Sequence, residues 1–241
     1  IRRNRGEIYT GASVTQVDFW GGRRSRRGKG DRVVSGKQEA GEGIRVSFTH
    51  QGKEQTLFPD ALITTIPVPE FLRVSSGLPD DYVKKVSQVR YCPVVGCVIG
   101  TEKFLSPFYW HNVFGRDVHM IVQHSLLYDG YGDKISWVSR YGGSEQDFGL
   151  SDDEIKKKYL SVVKEFFPKA NVKWAVVYKN TYAEPVYDKD YPLYMPKNRS
   201  PVPGLYYAGI ATTYPKIRNM NTALESGISV ARMVGEDLEG T

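Results

Sequence analysis

The chain has 241 residues, 40% of them hydrophobic and 25% charged, with a formal net charge of +6. That length can bury one large core or two interleaved ones, and the composition reads as soluble and globular. No apolar run reaches the roughly 20 residues of a spanning helix, no signal-peptide pattern is present, and two cysteines exclude a disulfide framework.

The chain begins at Ile1 inside the basic stretch Arg2-Arg3-Asn4-Arg5, which reads as a fragment or processed chain whose N-terminal part lies outside this sequence. Residues 13–20 alternate as a strand, and Ile44, Val46 and Phe48 alternate strictly before Gln51-Gly52 turns into a return strand at 56–58. Between them, 21–42 is rich in Gly, Arg, Lys and Ser and reads as a long excursion between strands. Six basic residues between Arg23 and Arg32 face Asp31 alone, a local balance of +5, so the excess charge belongs to that segment and the remainder is near neutral. The run Ala61-Leu62-Ile63-Thr64-Thr65-Ile66, bounded by Pro59 and Pro67, suits a strand of a parallel sheet buried on both faces. Short helices are expected from about Pro69 and over 80–88.

β-rich runs follow at 90–100, 118–127 and 135–141; Cys92 and Cys97, five apart, would face opposite sides of the first as unpaired thiols, in keeping with a reducing cytoplasm. Ser151 and Glu154 form a capping box. The helix they open carries Ile155, Tyr159, Val162, Val163 and Phe166 on one face and stops at Pro168. Val172–Tyr178 reads as a strand, and 182–203, rich in Pro and Tyr, as an ordered connector. Pro203-Gly-Leu-Tyr-Tyr-Ala-Gly209 then delivers a short buried strand to a small residue, and a helix runs from about Asn219 to Val234 with a free N-terminus suited to an electron-rich ligand atom.

Metal and hydrolase signatures are missing. His50, His111, His119 and His124 lack zinc-motif spacing, and no Gly-x-Ser-x-Gly, P-loop or Gly-x-Gly-x-x-Gly occurs. Asp152 and Asp153 fit helix capping. The segment 23–32 lacks the interleaved aromatics of single-strand binders, which points away from nucleic acid and towards a solvated loop. Phe104, Phe108, Tyr109, Trp110 and Phe114 would pack a core or edge, line an apolar cavity, or meet a membrane surface.

The hairpin, the Thr64-Thr65-Ile66-Pro67 strand and the terminal Ala208-Gly209 with its helix, in that order, resemble the C-terminal two-thirds of an FAD-dependent oxidoreductase of the flavin amine oxidase and protoporphyrinogen oxidase superfamily. Tyr182-Ala-Glu-Pro-Val-Tyr-Asp188 and Asn219-Met220-Asn221 look closest to the branch near UDP-galactopyranose mutase. The resemblance implies an α/β (α+β) fold in three parts: a Rossmann-like FAD-domain segment at 1–69, an inserted mixed-sheet substrate domain at 70–178, and a return to the FAD domain at 179–241. It implies FAD, with Val14 at the adenine and Thr65 and Ile66 close to the cofactor. Gly209 and Ile210 would lie along the ribityl–phosphate chain, and Met220, Asn221 and Ala223 at the helix start facing the flavin. Tyr182, Tyr187 and Tyr214 are its substrate-binding candidates, although tyrosines between prolines, Tyr191 and Tyr194 included, also pack connectors. The implied activity is oxidation of a C–N or C–C bond of a small or apolar substrate by hydride transfer; a mutase-like flavoenzyme and a non-enzymatic binding module are the alternatives. Two departures stand out: Ile210 and Ala211 replace the acidic residue the family usually carries after Ala-Gly, and the dinucleotide-binding motif is absent, so these residues alone are expected to bind FAD weakly and to be inactive. The implied partners are a small-molecule substrate and the missing N-terminal dinucleotide-binding segment.

Overall fold

A computed structural model describes residues 6–21, 42–128 and 130–240. The basic run at 23–32 and nearly all of the Gly-rich excursion lie outside the described residues. The chain divides into two compact units, one formed by 1–90 with 186–241 and the other by Tyr91–Pro185; the insertion therefore begins about twenty residues later than position 70 and ends after position 178.

The first unit starts with β1 (Ala12–Gly21), β2 (Glu42–His50) and β3 (Lys53–Leu57), an antiparallel meander completed at its other edge by the two-residue β5 (Ser75–Ser76), parallel to β1. Period-two alternation turns Val17 and Phe19 of β1 and Ile44, Val46 and Phe48 of β2 inward, where all are buried. Between β3 and β5 come β4 (Leu62–Thr64) and α1 (Val68–Val74), and after β5 comes α2 (Asp80–Val86). α1 presents Phe71 to Phe19, ring centroids 6.4 Å apart, and to Tyr207 at 5.4 Å. Gly77 makes the turn out of β5 at φ +75°, and a Cβ there would overlap the Phe19 carbonyl.

The second unit has one five-stranded antiparallel sheet in the order β10-β6-β9-β8-β7, built from β6 (Tyr91–Thr101), β7 (Trp110–Asn112), β8 (Met120–Val122), β9 (Lys134–Tyr141) and β10 (Val172–Pro185). The helix α3 (Asp152–Phe166) opens with the expected Ser151–Glu154 capping box and buries Ile155, Tyr159, Val162 and Val163 against Val95, Cys97, Ile99, Ile121 and Val138 of the sheet. Burial pushes the Cys97 thiol up to about 11 and leaves it a neutral packing group. Beneath α3 lies a buried ionic cluster: Asp147, 1% exposed, accepts hydrogen bonds from Lys158 Nζ and Tyr159 Oη, both at 2.8 Å. Burial opposes that charge, yet these two bonds with the Lys158 and Arg140 charges hold the carboxyl below the usual range.

The chain returns to the first unit through α4 (Tyr191–Tyr194), β11 (Leu205–Tyr207) and α5 (Met220–Glu239). β11 pairs parallel with β4, Tyr207 opposite Thr64.

Three expectations change. The 61–66 run is a three-residue strand whose Ile63 is 40% exposed, because alternation sends Leu62 and Thr64 one way and Ile63 the other, and β4 has β11 as its strand neighbour. Phe166 is 48% exposed: the helix ends there, past the sheet it packs on. Residues 182–185, read as connector, belong to β10, where a register shift after Asn180 lets Glu184 and Pro185 pair with Cys92 and Tyr91.

Two outcomes follow from the packing. Gly77→Ala should destabilise the chain by about 3 kcal/mol or more, since positive φ and a backbone clash act together, read as a lower urea midpoint. Asp147→Asn should cost about 1–2 kcal/mol, because Lys158 and Arg140 lose their buried partner but keep Asp117 at 3.1 and 2.9 Å. Because the folded carboxyl titrates below its unfolded value of about 3.9, its stabilisation is complete above that pH and disappears as pH falls below it; a wild-type acid-unfolding curve steeper than that of Asp147→Asn over this window checks the sign.

Candidate functional site

In the first unit two parallel strands, β4 and β11, end side by side, and the turn after β11 packs on α5, while ligands of open α/β sheets bind outside the carboxyl ends of such strands. β4 runs into Thr65-Ile66 and β11 into Ala208-Gly209, with Ala208 N–H donating to Thr64 O at 3.0 Å. Gly209 has φ +111° and ψ −175°, a region only glycine occupies without strain. Among the described residues a Cβ built there would find only the Thr65 carbonyl oxygen, 3.9 Å away, so the glycine leaves open space beside the backbone.

A buried polar hub holds this turn. Gly209 N–H donates to Ser226 Oγ of α5 at 3.1 Å, and Ser226 Oγ lies 2.9 Å from Thr212 Oγ1. Asn198 Nδ2 donates to Ser226 Oγ, Thr212 Oγ1 and Tyr207 O at 2.9–3.1 Å. Ser226 and Thr212 are each 8% exposed. Thr222, Ser226 and Val230, four residues apart, form the buried stripe of α5. The far end of the helix is fastened by Asp237, which accepts Arg199 Nε and a second guanidinium N–H at 2.8 Å each, and the Tyr206 hydroxyl. Tyr206 and Arg199 hold the Asp237 carboxyl below its usual range.

Asn219 caps α5: its side chain accepts from Thr222 N–H at 3.0 Å, and Thr222 Oγ1 accepts from Asn219 N–H. Ala223 N–H is committed to Asn219 O. The next donors, Met220 and Asn221 N–H, have no acceptor among the described residues, and the Met220 side chain is 77% exposed. The helix therefore presents two amides and its positive dipole end outward.

Below the 210–213 turn the tyrosines cluster. Tyr187 lies 5.2 Å from Tyr214 and 4.6 Å from Tyr191 between ring centroids. The Tyr187 hydroxyl donates to Ile210 O and the Tyr191 hydroxyl to Ala211 O, and the Arg218 guanidinium sits 4.8 Å from the Tyr187 ring centre. Thr65 lies beside Gly209 at the ends of the paired strands, Ile66 and Ile210 follow them in the chain, Met220, Asn221 and Ala223 lie in the first turn of α5, and Tyr187 and Tyr214 pack at the 210–213 turn. Val14 lies on β1 opposite Phe48, 46% exposed, in the meander. Tyr182 belongs to the second unit, its ring 5.5 Å from Tyr91. Asn198, Thr212 and Ser226 escaped sequence reasoning; the only hint is that Ser226 falls four residues after Thr222 on the helix face that must be buried.

The second unit offers a different surface. On the sheet face away from α3, register aligns Trp110, Val122, Trp137, Val98 and Val176 in one row across all five strands. Trp110, Trp137 and Val176 are 50%, 43% and 59% exposed. In the next rows Trp174 lies over Gly100 and Tyr178 over Gly96, whose added Cβ would come within 2.5 Å of the Tyr178 hydroxyl. Burial pushes the Tyr178 phenol up to about 12, and its hydroxyl is hydrogen-bonded to Ser139 Oγ. Among the described residues no cluster of His, Cys, Asp and Glu could hold a metal ion.

The sequence matches the family described as flavin containing amine oxidoreductase over residues 3–235. No curated protein matches it. Among solved structures, an oxidoreductase from Methanosarcina mazei shares 17% identity at a TM-score of 0.62, covering 96% of this chain and 51% of that one. Reduced UDP-galactopyranose mutase shares 13% at 0.59, covering 78% and 44%, and putrescine oxidase bound to putrescine 12% at 0.59, covering 93% and 48%. The chain spans about half the length of these structures, which share its fold. Glycine at the strand end, the open space beside it and the two outward amides suit the flavin that such a family implies. The chain belongs to the flavin containing amine oxidoreductase family.

Proposed function

We propose that these residues form the closing half of an FAD site and the substrate domain of a flavin-dependent oxidoreductase that oxidises a C–N or C–C bond of a small or apolar substrate. One observation carries the reading: Gly209, pinned by Ser226, opens a space beside Thr65 in the unit where α5 turns two uncommitted amides outward. In this reading Thr65, Ile66, Gly209 and Ile210 hold the cofactor chain, and Val14 belongs to the adenosine side. Met220 and Asn221, at the start of α5 with Ala223 in its first turn, supply hydrogen-bond donors and a positive helix end to an electron-rich ring edge. The bound flavin would supply the hydride-accepting chemistry. The phosphate-binding glycine loop is not among these residues, and a dinucleotide-binding segment would complete the site.

For the substrate, the second unit offers the apolar row Trp110–Val122–Trp137–Val98–Val176, with the Ser139–Tyr178 pair as its polar handle. Large aromatic walls bind apolar groups and exclude water. Tyr182, Tyr187 and Tyr214 are further substrate candidates; the Tyr187 hydroxyl is already engaged with Ile210 O, so its ring would make the contact.

The full-length gene product should purify yellow, with absorbance near about 450 nm; a colourless protein that takes up no added FAD would sink the reading. Ser226→Ala should weaken flavin retention about tenfold by orphaning the Gly209 N–H, while Ser226→Thr, which keeps the hydroxyl, should restore most of it. Anaerobic bleaching of the flavin by a primary or secondary amine, compared with a saturated carbonyl compound that can lose hydrogen only across a C–C bond, separates C–N from C–C oxidation.

A further inference from the structure

We propose that the second unit carries, around the C-terminal end of α3, a peripheral docking patch for an anionic lipid surface. Four phenylalanines stand exposed there on three chain segments: Phe104, Phe108, Phe114 and Phe166, at 37%, 67%, 85% and 48%. Each is tied to the last turns of α3 or to its C-cap. Phe104 and Phe166 line one recess of about 590 Å³ together with Phe167, the C-cap of α3. His111 bridges from Phe167 to Phe108, with ring centroids at 5.2 and 6.5 Å. Phe114 lines a second recess against Ser161, Val162 and Glu165 of the same helix.

These rings are held out rather than left loose. Gln123, 1% exposed, donates from Nε2 to the carbonyls of Ser106 and Phe108 and accepts the Leu105 N–H at 2.7 Å, so the loop carrying Phe104 and Phe108 is built around a buried amide. An exposed apolar group of this size on a rigid loop marks an interaction surface.

The charges around it choose the partner. Lys103 and Lys169 line the recess, and Lys134 Nζ sits 4.9 Å from the centre of the Phe104 ring. Lys164, in the last turn of α3, reaches Ala170 O. Glu165, the acid of that turn, is engaged by Arg116 at 2.7 Å, Asp117 in the Phe114 recess is paired with Arg140 and Lys158, and Glu102 is the acid that lines the first recess. Protein interfaces favour aromatics with arginine and deplete lysine; aromatics ringed by lysines, whose stems lie on apolar surface while the ammonium reaches phosphate, suit a membrane interface. Among the described residues no helix is long and apolar enough to cross a membrane. The patch lies wholly in the second unit and does not depend on the flavin reading.

The test is sedimentation of the 241-residue chain with phosphatidylcholine vesicles, with and without phosphatidylglycerol, at low and high salt. Retention should require phosphatidylglycerol and fall with salt. Phe108→Ser/Phe114→Ser and, separately, Lys103→Glu/Lys169→Glu should each lower it about tenfold or more, with unfolding temperatures unchanged because all four side chains are exposed. The basic run 23–32 would itself attract anionic vesicles, so retention that survives both double variants overturns the proposal. Absence of retention on phosphatidylglycerol vesicles also overturns it. So does concentration-dependent self-association, by light scattering, that Phe108→Ser/Phe114→Ser abolishes; that result would assign the patch to a second copy.

Discussion

The candidate cofactor site hangs on one shared hydroxyl. Ser226 Oγ accepts the Gly209 N–H, meets Thr212 and receives Asn198, so a single buried atom joins the end of β11, the following turn and the middle of α5. Such networks are strong when every member is paired and costly when one partner is lost. Gly209 can then keep an extended positive-φ conformation, because its amide is satisfied on one side and its missing Cβ leaves the other open. With the Asp237–Arg199–Tyr206 cluster near its far end, α5 is fastened at two places, and its first turn is free to present donors instead of being spent on holding the helix.

The two units use their apolar faces in opposite ways. In the second, one sheet face is closed by α3 and contains a satisfied carboxylate, Asp147, while the other keeps tryptophans in the open. Glycines at 96 and 100 make that open face possible, since Tyr178 and Trp174 lie flat over positions where any side chain would collide. In the first unit α5 buries Thr222, Ser226 and Val230 and leaves Met220, Leu224 and Ile228 exposed at 77%, 62% and 55%, a second stripe on the same helix. The exposed stripe is apolar, whereas the buried one carries the hydroxyls that hold the Gly209 turn.

Much of the architecture was legible because it rests on local rules. Strict alternation at Ile44, Val46 and Phe48 marked an inward face, Ser151 with Glu154 marked a helix start, and Asn219 marked another; each depends on neighbours within a few positions. The extra residues of β10 were not legible, since a register shift has no local signature and Pro185 argues against a strand. Nor was the exposure of Ile63, because an apolar run states how hydrophobic a strand is and not how many layers cover it.

By itself the sequence determined the order of the elements, the glycine at the end of the last strand and the helix start that follows it, because backbone conformation and capping are properties of a few adjacent residues. It also carried the family, through the order of its motifs. Only the tertiary structure decided what holds the glycine and which side chains line the open sheet face. Asn198 and Ser226 stand 28 positions apart, and Trp110 joins Val176 in one row only through four strand registers. Hydrogen bonds and cross-strand rows of that kind are selected by packing, where the competing partners differ by about a kilocalorie per mole, and no local pattern in the chain records which one wins.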